Sequence, residues 1–424
     1  MAATQAAWRF YANDSVGLAQ LAAPLVECAR AAIPGACDRH VLVALDWCPL
    51  HYGSHGSKRD RVGLARRNDL GYDLLTALAL GDGDGSPIAP LCLELRAADG
   101  VHSTRGVHST RAARAARPLP PPSRLDRLGP VMAHACGLLS GLGRTPVFVI
   151  DREADSVGHY RRWGRAGRRF VVRADAQRKV LHEGHERELS QVLALLALRR
   201  RRGGLSFARE VEFKGKPARQ YVGETQVVLH RPARTHRVEP ATGKPRHRNV
   251  AGRPLPLRLV VSEVRDARTG AVLAAWLLLT NLPPDEAPAA TVALWYYWRW
   301  RIESYHKLLK GSGQQVESWQ QESAEALAKR LTVASMAAVV VWRLARDDRP
   351  EAAQVRGLLV RLSGRQIKRT TLASRGFTEP ALMAGLNVLL PMLELLRDAD
   401  ARDLRDLRRL VEAVLPGLLH RETG

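Results

Sequence analysis

Two short apolar runs, each stopping on an aspartate, constrain this chain more than any other feature. They are "VLVALDW" at 41–47 and "PVFVID" at 146–151. A run of four to six aliphatic residues bounded by polar sequence reads as a short buried strand. A third, "RRFVVRAD" at 168–175, follows the helical stretch "SVGHYRRWGRAG". Asp46 and Asp151 each terminate such a strand, where a side chain projects beyond a rigid sheet edge.

Around these runs the chain changes texture several times. "GYDLLTALAL" and "SPIAPLCLELRA" read as two strands joined by "GDGDG", a hairpin turn rather than a calcium loop, because the later ligands of such a loop are missing. "GVHSTR" occurs at 100–105 and again at 106–111, followed by "AARAARPLPPPS". One tandem copy is a duplication absorbed in an exposed loop, not a repeat architecture. A helix is expected from about Arg124 to Leu142. From about 176 to 284, segments such as "EVEFKGKPARQ", "YVGETQVVLHRP" and "LPLRLVVSEV" alternate strands with Arg/Lys/Pro/Gly turns, a basic β-rich insertion. Beyond Gly311 the pattern is helical, near 320–347, 350–362, 378–398 and 400–420.

Composition narrows the classes of function. The chain of 424 residues carries 65 Lys+Arg against 42 Asp+Glu, a formal net charge of +23. Such an excess points to a polyanionic partner, nucleic acid being the common one, although an arginine-rich genome would also raise the charge. "MAATQAAWRF" has no basic region followed by an apolar core, so it is not a secretory signal. The longest apolar run, Leu331 to Trp342, is too short to span a bilayer. Five cysteines without CxxC pairing read as reduced thiols of a cytoplasmic protein.

One further stretch raises a chemical question. "YYWRWRIESYHKLLK" at 296–310 holds one carboxylate, Glu303, among Arg299, Arg301, Lys307 and Lys310. On a helix turning about 100° per residue, Tyr296, Arg299, Glu303, Lys307 and Lys310 fall within an arc of about 80°. Trp298, Ile302, Tyr305 and Leu309 lie on the opposite side, which suits core packing. An acid among cations stays ionised. Such a face either holds a divalent metal with phosphates around it, or is a surface helix with Glu303 paired to Lys307. Two strand-end aspartates and a helix glutamate are hard oxygen donors suited to Mg²⁺ or Mn²⁺.

Tyr296, Arg299, Glu303 and Lys310 match Y-x2-R-x3-E-x6-K, and "DREAD" at 151–155 follows a strand. In these features the chain resembles the DDE transposases of the insertion-sequence-4 family. "WLLLT" and "RFVVR" also look like that family's segments, and the similarity runs from about residue 4 to the helices near 345. The resemblance implies an α/β fold: a ribonuclease-H-like core interrupted by the β-rich insertion, with a helical C-terminal region. It divides the chain into a remnant of an N-terminal DNA-binding region (1–40), the first part of the core (41–175), the insertion (176–284), the second part of the core with the glutamate helix (285–347) and C-terminal helices suited to dimerisation (348–424).

The resemblance also implies roles. Asp46, Asp151 and Glu303 become the catalytic triad, binding two Mg²⁺ or Mn²⁺ ions. Tyr296, Arg299, Lys307 and Lys310 become holders of DNA phosphates. Trp276 matches a position that accepts a flipped base, or is a buried tryptophan closing a strand; Arg173 touches DNA backbone or is a plain surface arginine. Glu153 and Asp155 are set aside in favour of the strand-end Asp151. His51 and His55 lack a third zinc ligand, and the arginines at 199–202 read as a solvated turn.

The implied function is cut-and-paste transposition. Water cuts at the transposon end, the 3′-OH forms a hairpin, and the reopened end is transferred into target DNA. The partners are double-stranded DNA, as terminal inverted repeats and target, and a second copy of the chain in a synaptic homodimer, with no membrane. The setting is the bacterial cytoplasm, at the nucleoid when bound. "AAWRFYAND" lies almost at Met1, so most of the family's N-terminal DNA-binding segment is expected to be absent. The alternative is therefore a shortened, non-catalytic, dominant-negative regulator of transposition; a general nuclease is a third reading.

Overall fold

The apolar run that holds Asp46 does not stop at the aspartate. In the computed structural model, which describes residues 2–64, 69–106, 123–198, 204–238, 245–311, 313–367 and 376–398 with positions 402, 405 and 409, strand β1 spans His40–His51. Its parallel ladder with β6 (Thr145–Ile150) ends at Leu45↔Ile150. Its antiparallel ladder with β3 (Leu70–Gly81) runs on through Asp46↔Thr76 to His51↔Gly71. The strand end read from the sequence is thus the end of one ladder, because the partner on one side stops while the partner on the other continues. The second "GVHSTR" beyond Gly106, most of "AARAARPLPPPS", residues 199–202 and nearly all of the helix expected over 400–420 lie outside the described residues.

The other strands of the first half are β2 (Val62–Gly63), β4 (Pro87–Ala97), β5 (Gly100–Ser103) and β7 (Arg169–Arg173). Then come β8 (Lys179–His182), β9 (His185–Glu188), β10 (Ser206–Phe213), β11 (Lys216–Leu229), β12 (Ala233–Val238), β13 (Pro245–Val250), β14 (Leu255–Asp266) and β15 (Val272–Thr280). Among the described residues one 13-stranded sheet has the order β5-β4-β3-β1-β6-β7-β15-β14-β11-β8-β9, with β2 on β3 and β10 on β11; β12 and β13 form a separate ribbon. The chain is a mixed α/β protein. β6 and β7 are parallel and need a crossover, which the helix Val157–Arg165 supplies. β15 lies antiparallel on β7, so the basic strands after 206 continue the same sheet.

Val41–Leu45, Val147–Ile150 and Phe170–Val172 are fully buried, as expected of strands covered on both faces. The "GDGDG" turn does join two antiparallel strands, β3 and β4. Its acids work locally: the Asp82 carboxylate accepts the N–H groups of Asp38, Arg39 and His40 at 2.8, 3.1 and 2.9 Å, pinning the start of β1. Gly85 sits at φ +66° with the Trp298 ring where a Cβ would be, so only glycine fits there.

The chain divides into two compact units, one of residues 1–306 and 316–339, the other of 307–315 and 340–424. The first contains the large sheet. Within the second, the helices Pro350–Leu362 and Glu379–Asp398 match the expected bounds, and Gly385 lets its helix lie directly on the backbone of Leu359. Among the described residues no helix is long and apolar enough to cross a membrane.

Candidate active site

Strand register brings the site together. Leu45, Ile150, Val172 and Leu279 lie side by side on β1, β6, β7 and β15. One residue further along stand Asp46 on β1, Asp151 just past the end of β6, and Arg173 on β7, neighbouring strands spaced by about 4.8 Å. Asp46 accepts the N–H of Trp47 at 2.9 Å and Asp151 that of Arg152 at 2.7 Å. Arg173 stands 3.6 Å from the Asp151 carboxylate.

The third acid comes from a helix that the sequence pattern draws as continuous. The structure breaks it: one helix runs Ala289–Trp298, a second Trp300–Lys310, and Arg299 forms a tightened turn between them. The Arg299 N–H bonds to Tyr296 O at 3.2 Å and the Ile302 N–H to Arg299 O at 3.0 Å, both three residues apart rather than four. Tertiary contact overrides regularity here, because the Arg299 side chain turns inward to the acids. The break places Glu303 in the first turn of the second helix, where the N-terminal dipole favours negative charge. Lys307 and Lys310 occupy its last turn, where the dipole favours cations. Ile302, Tyr305 and Leu309 are buried as the pattern expects, and Trp298 is half-buried.

Arg299 is the centre of the arrangement. Its Nη1 donates to Asp46 Oδ2 at 3.2 Å, and its Nη2 lies 2.9 Å from Glu303 Oε1 and 3.5 Å from Asp151 Oδ2. Tyr296 donates its hydroxyl to Asp151 at 3.1 Å. Both Tyr296 and Arg299 are buried, so neither stands on an open surface. Beneath them, His306 Nε2 meets Thr76 Oγ1 at 3.2 Å, tying the glutamate helix to the register partner of Asp46. Tyr305 bonds Ser335 at 2.6 Å, anchoring the same helix to Ala324–Arg346.

The electrostatics divide the two aspartates. Burial pushes the Asp46 carboxyl up to about 6, against the pull of Arg299 and the Trp47 N–H, with Glu303 and Asp151 adding repulsion. Burial also acts on Asp151, but Arg299, the Arg152 N–H, the Tyr296 hydroxyl and Arg173 outweigh it and hold the group below the usual carboxylate range. Arg299 is buried, yet the charges around it keep it firmly protonated.

Beside the acids opens a cavity of about 260 Å³, lined by Asp151, Arg173 and Glu303 on one side and by aromatic rings on the other. Trp276 is half-buried there, its ring centroid 5.7 Å from Tyr296, 6.5 Å from Tyr297 and 6.3 Å from Phe213. Trp300 completes the lining and is half exposed. The sequence reading singled out Trp276 but missed Tyr297, Phe213 and Trp300. Phe213 is distant in sequence, whereas Tyr297 and Trp300 lie inside "YYWRWRIESYHKLLK" itself.

Other candidates resolve into structure. Glu153 pairs with Arg124 at 2.8 Å. Asp155 pairs with Arg178 at 2.6 Å and accepts from Tyr160. His51 meets Asp69 at 2.9 Å, and the His55 ring packs edge-on to Tyr52.

Among the described residues no three acid, histidine or cysteine side chains stand close enough together to ligate one ion. The three carboxylates are instead spread around one guanidinium. The donor set still fits a hard divalent cation: three carboxylates facing one point, with one arginine and the more distant Arg173 to balance them.

A mixed sheet thus brings one aspartate on β1, one just past the end of β6 and one helix glutamate to a single guanidinium. Residues 127–340, half of the chain, match the family described as Transposase DDE domain, and the chain belongs to that family. Asp151, Glu303, Tyr296, Arg299, Trp276 and Arg173 fall inside the match, while Asp46 precedes it. No curated protein matches the chain.

Proposed function

We propose that this protein is a transposase of the insertion-sequence-4 type, cutting DNA at transposon ends and joining the freed 3′-OH to target DNA, with a hairpin between the two steps. The observation that carries the reading is the meeting of Asp46, Asp151 and Glu303, from two strands and a helix, at one guanidinium. The ribonuclease-H-like reading of the core is supported by the order β4-β3-β1-β6-β7, in which two antiparallel pairings are followed by two parallel ones. In this reading 41–175 and 285–347 form the core, 176–284 the insertion, 1–40 a DNA-binding region and 348–424 the dimerising region of a synaptic complex.

Two Mg²⁺ or Mn²⁺ ions held by Asp46, Asp151 and Glu303 would stabilise the attacking and leaving oxygens of an in-line displacement. The chain's own residues do the rest. Tyr296 and Arg173 hold Asp151 ionised and aimed. Arg299, Lys307 and Lys310 supply cationic donors for phosphates, and the Trp276 face offers a stacking platform for an unpaired base.

The test compares wild type with Glu303→Ala for nicking and strand transfer in Mg²⁺ or Mn²⁺, on DNA carrying the element's own ends. Activity that vanishes in the variant is the expected result. Equal activity in both would remove Glu303 from the mechanism. Cleavage indifferent to the terminal repeats would indicate a general nuclease. A silent wild type that inhibits an active relative would indicate the regulator.

A further inference from the structure

We propose that Arg299 is a built-in counter-cation of the carboxylate triad, which must be exchanged for the divalent ion before the site is competent. This rests on the metal-dependent reading above and adds a role for one residue within it.

A side chain meant to grip an outside phosphate gains most from standing exposed with its donors open. Arg299 is instead 6% exposed, and its two terminal nitrogens are engaged by all three acids, at 3.2, 3.5 and 2.9 Å. The guanidinium sits at the point on which the carboxylates converge, and they do not approach one another closely enough to share an ion. A planar fork of five donors bridges three separated acceptors as no single point charge does. Without a cation there, three half-buried carboxylates would repel one another with solvent screening only in part.

A divalent ion drawing the acids inward competes for the same oxygens. The guanidinium it displaces is then available to a phosphate. Two consequences follow from linkage. Arg299 weakens metal binding in the absence of DNA, and a DNA phosphate that captures the displaced guanidinium strengthens it, with reciprocal strengthening of DNA binding by metal. The site therefore stays poorly metallated until substrate arrives, which restrains stray cleavage. Arg299 acts here as a positioning residue.

The experiment titrates Mn²⁺ into the full chain without DNA, following the free-Mn²⁺ spin resonance signal, and repeats it with end-bearing duplex present. Arg299→Gln is expected to bind Mn²⁺ about tenfold tighter than wild type, within the usual range of coupling factors. Arg299→Lys, which keeps the charge but not the fork, falls between. Duplex tightens Mn²⁺ binding by wild type and leaves Arg299→Gln unchanged, while Glu303→Gln loses binding in both conditions. Equal Mn²⁺ affinity in wild type and Arg299→Gln would overturn the exchange and leave the metal reading standing. No binding by either folded protein would overturn both. If Arg299→Gln fails to give a cooperative melt, Arg299→Lys decides: affinity no tighter than wild type overturns the exchange.

Discussion

The two ends of the parallel strands make a useful pair. At the starts of β1, β6 and β7, His40, Thr145 and Arg169 join Arg39, Asp285 and Glu286 around a cavity of about 410 Å³. At the other ends lie the acids and their smaller cavity of about 260 Å³. The larger cavity is balanced: Arg169 meets Glu286 at 2.9 Å, and His40 lies 3.5 Å from Glu286 and 3.8 Å from Asp82. Beside the smaller one Asp46, Asp151 and Glu303 share the buried Arg299, with Arg173 also facing Asp151 and Lys214 in the lining. The same strands position both sets, so rigidity does not distinguish them. Three partly desolvated carboxylates gathered on one buried guanidinium do, and such a cluster is the mark of a functional site.

The largest expected effect breaks this comparison if it fails. Asp46→Asn and Asp151→Asn should each lower nicking on the order of a thousandfold. Glu286→Gln, which removes a carboxylate from the larger cavity, should stay within about twofold and cost less than about 1 kcal/mol of stability, since Arg169 is partly solvated. Similar activity losses at both ends would show that the clustering of carboxylates on one guanidinium is the wrong criterion.

A pH scan of thermal unfolding sharpens the comparison by isolating a group that belongs to neither end. Burial, helped by Arg162 and opposed by Asp126, pushes His159 down to about 4 from its ordinary 6.5. The unfolded chain takes up this proton first as pH falls, so stability is lost between about 6.5 and 4, by up to about 3 kcal/mol. His159→Gln should flatten that part of the curve. An unchanged slope would assign the loss to other groups.

The smallest effect concerns support beneath the acids. Thr76→Val removes a hydrogen-bond partner of His306 and should lower unfolding free energy by about 1 kcal/mol. Thr145→Val, at the exposed rim of the larger cavity, should cost nothing measurable in the same denaturant titration. Equal costs would mean that the Thr76 contact contributes no special anchoring.

What was legible in the sequence was what local pattern dictates. Apolar runs gave β1, β6 and β7, and helical spacing gave the packing face of Ile302, Tyr305 and Leu309. The juxtaposition of Asp46 and Asp151 followed from both ending such runs. The rest depends on partners far away along the chain. No periodicity announces that β1 runs past Asp46, since β3 alone decides it. The break at Arg299 answers to acids from two other strands. Likewise, Arg127 is buried against Asp73 and Glu94, a network invisible until the helix after 123 is laid on the sheet.

The register row through Leu45 and Ile150 also sets which changes in length the protein tolerates. Residues gained or lost in the connections between β1 and β6 leave the acids in place. One residue gained or lost inside either strand exchanges its two faces, sending an aspartate to the wrong side without altering the composition of the site. For this chain the reading frame of the strand, more than the identity of its apolar residues, is what evolution has to keep.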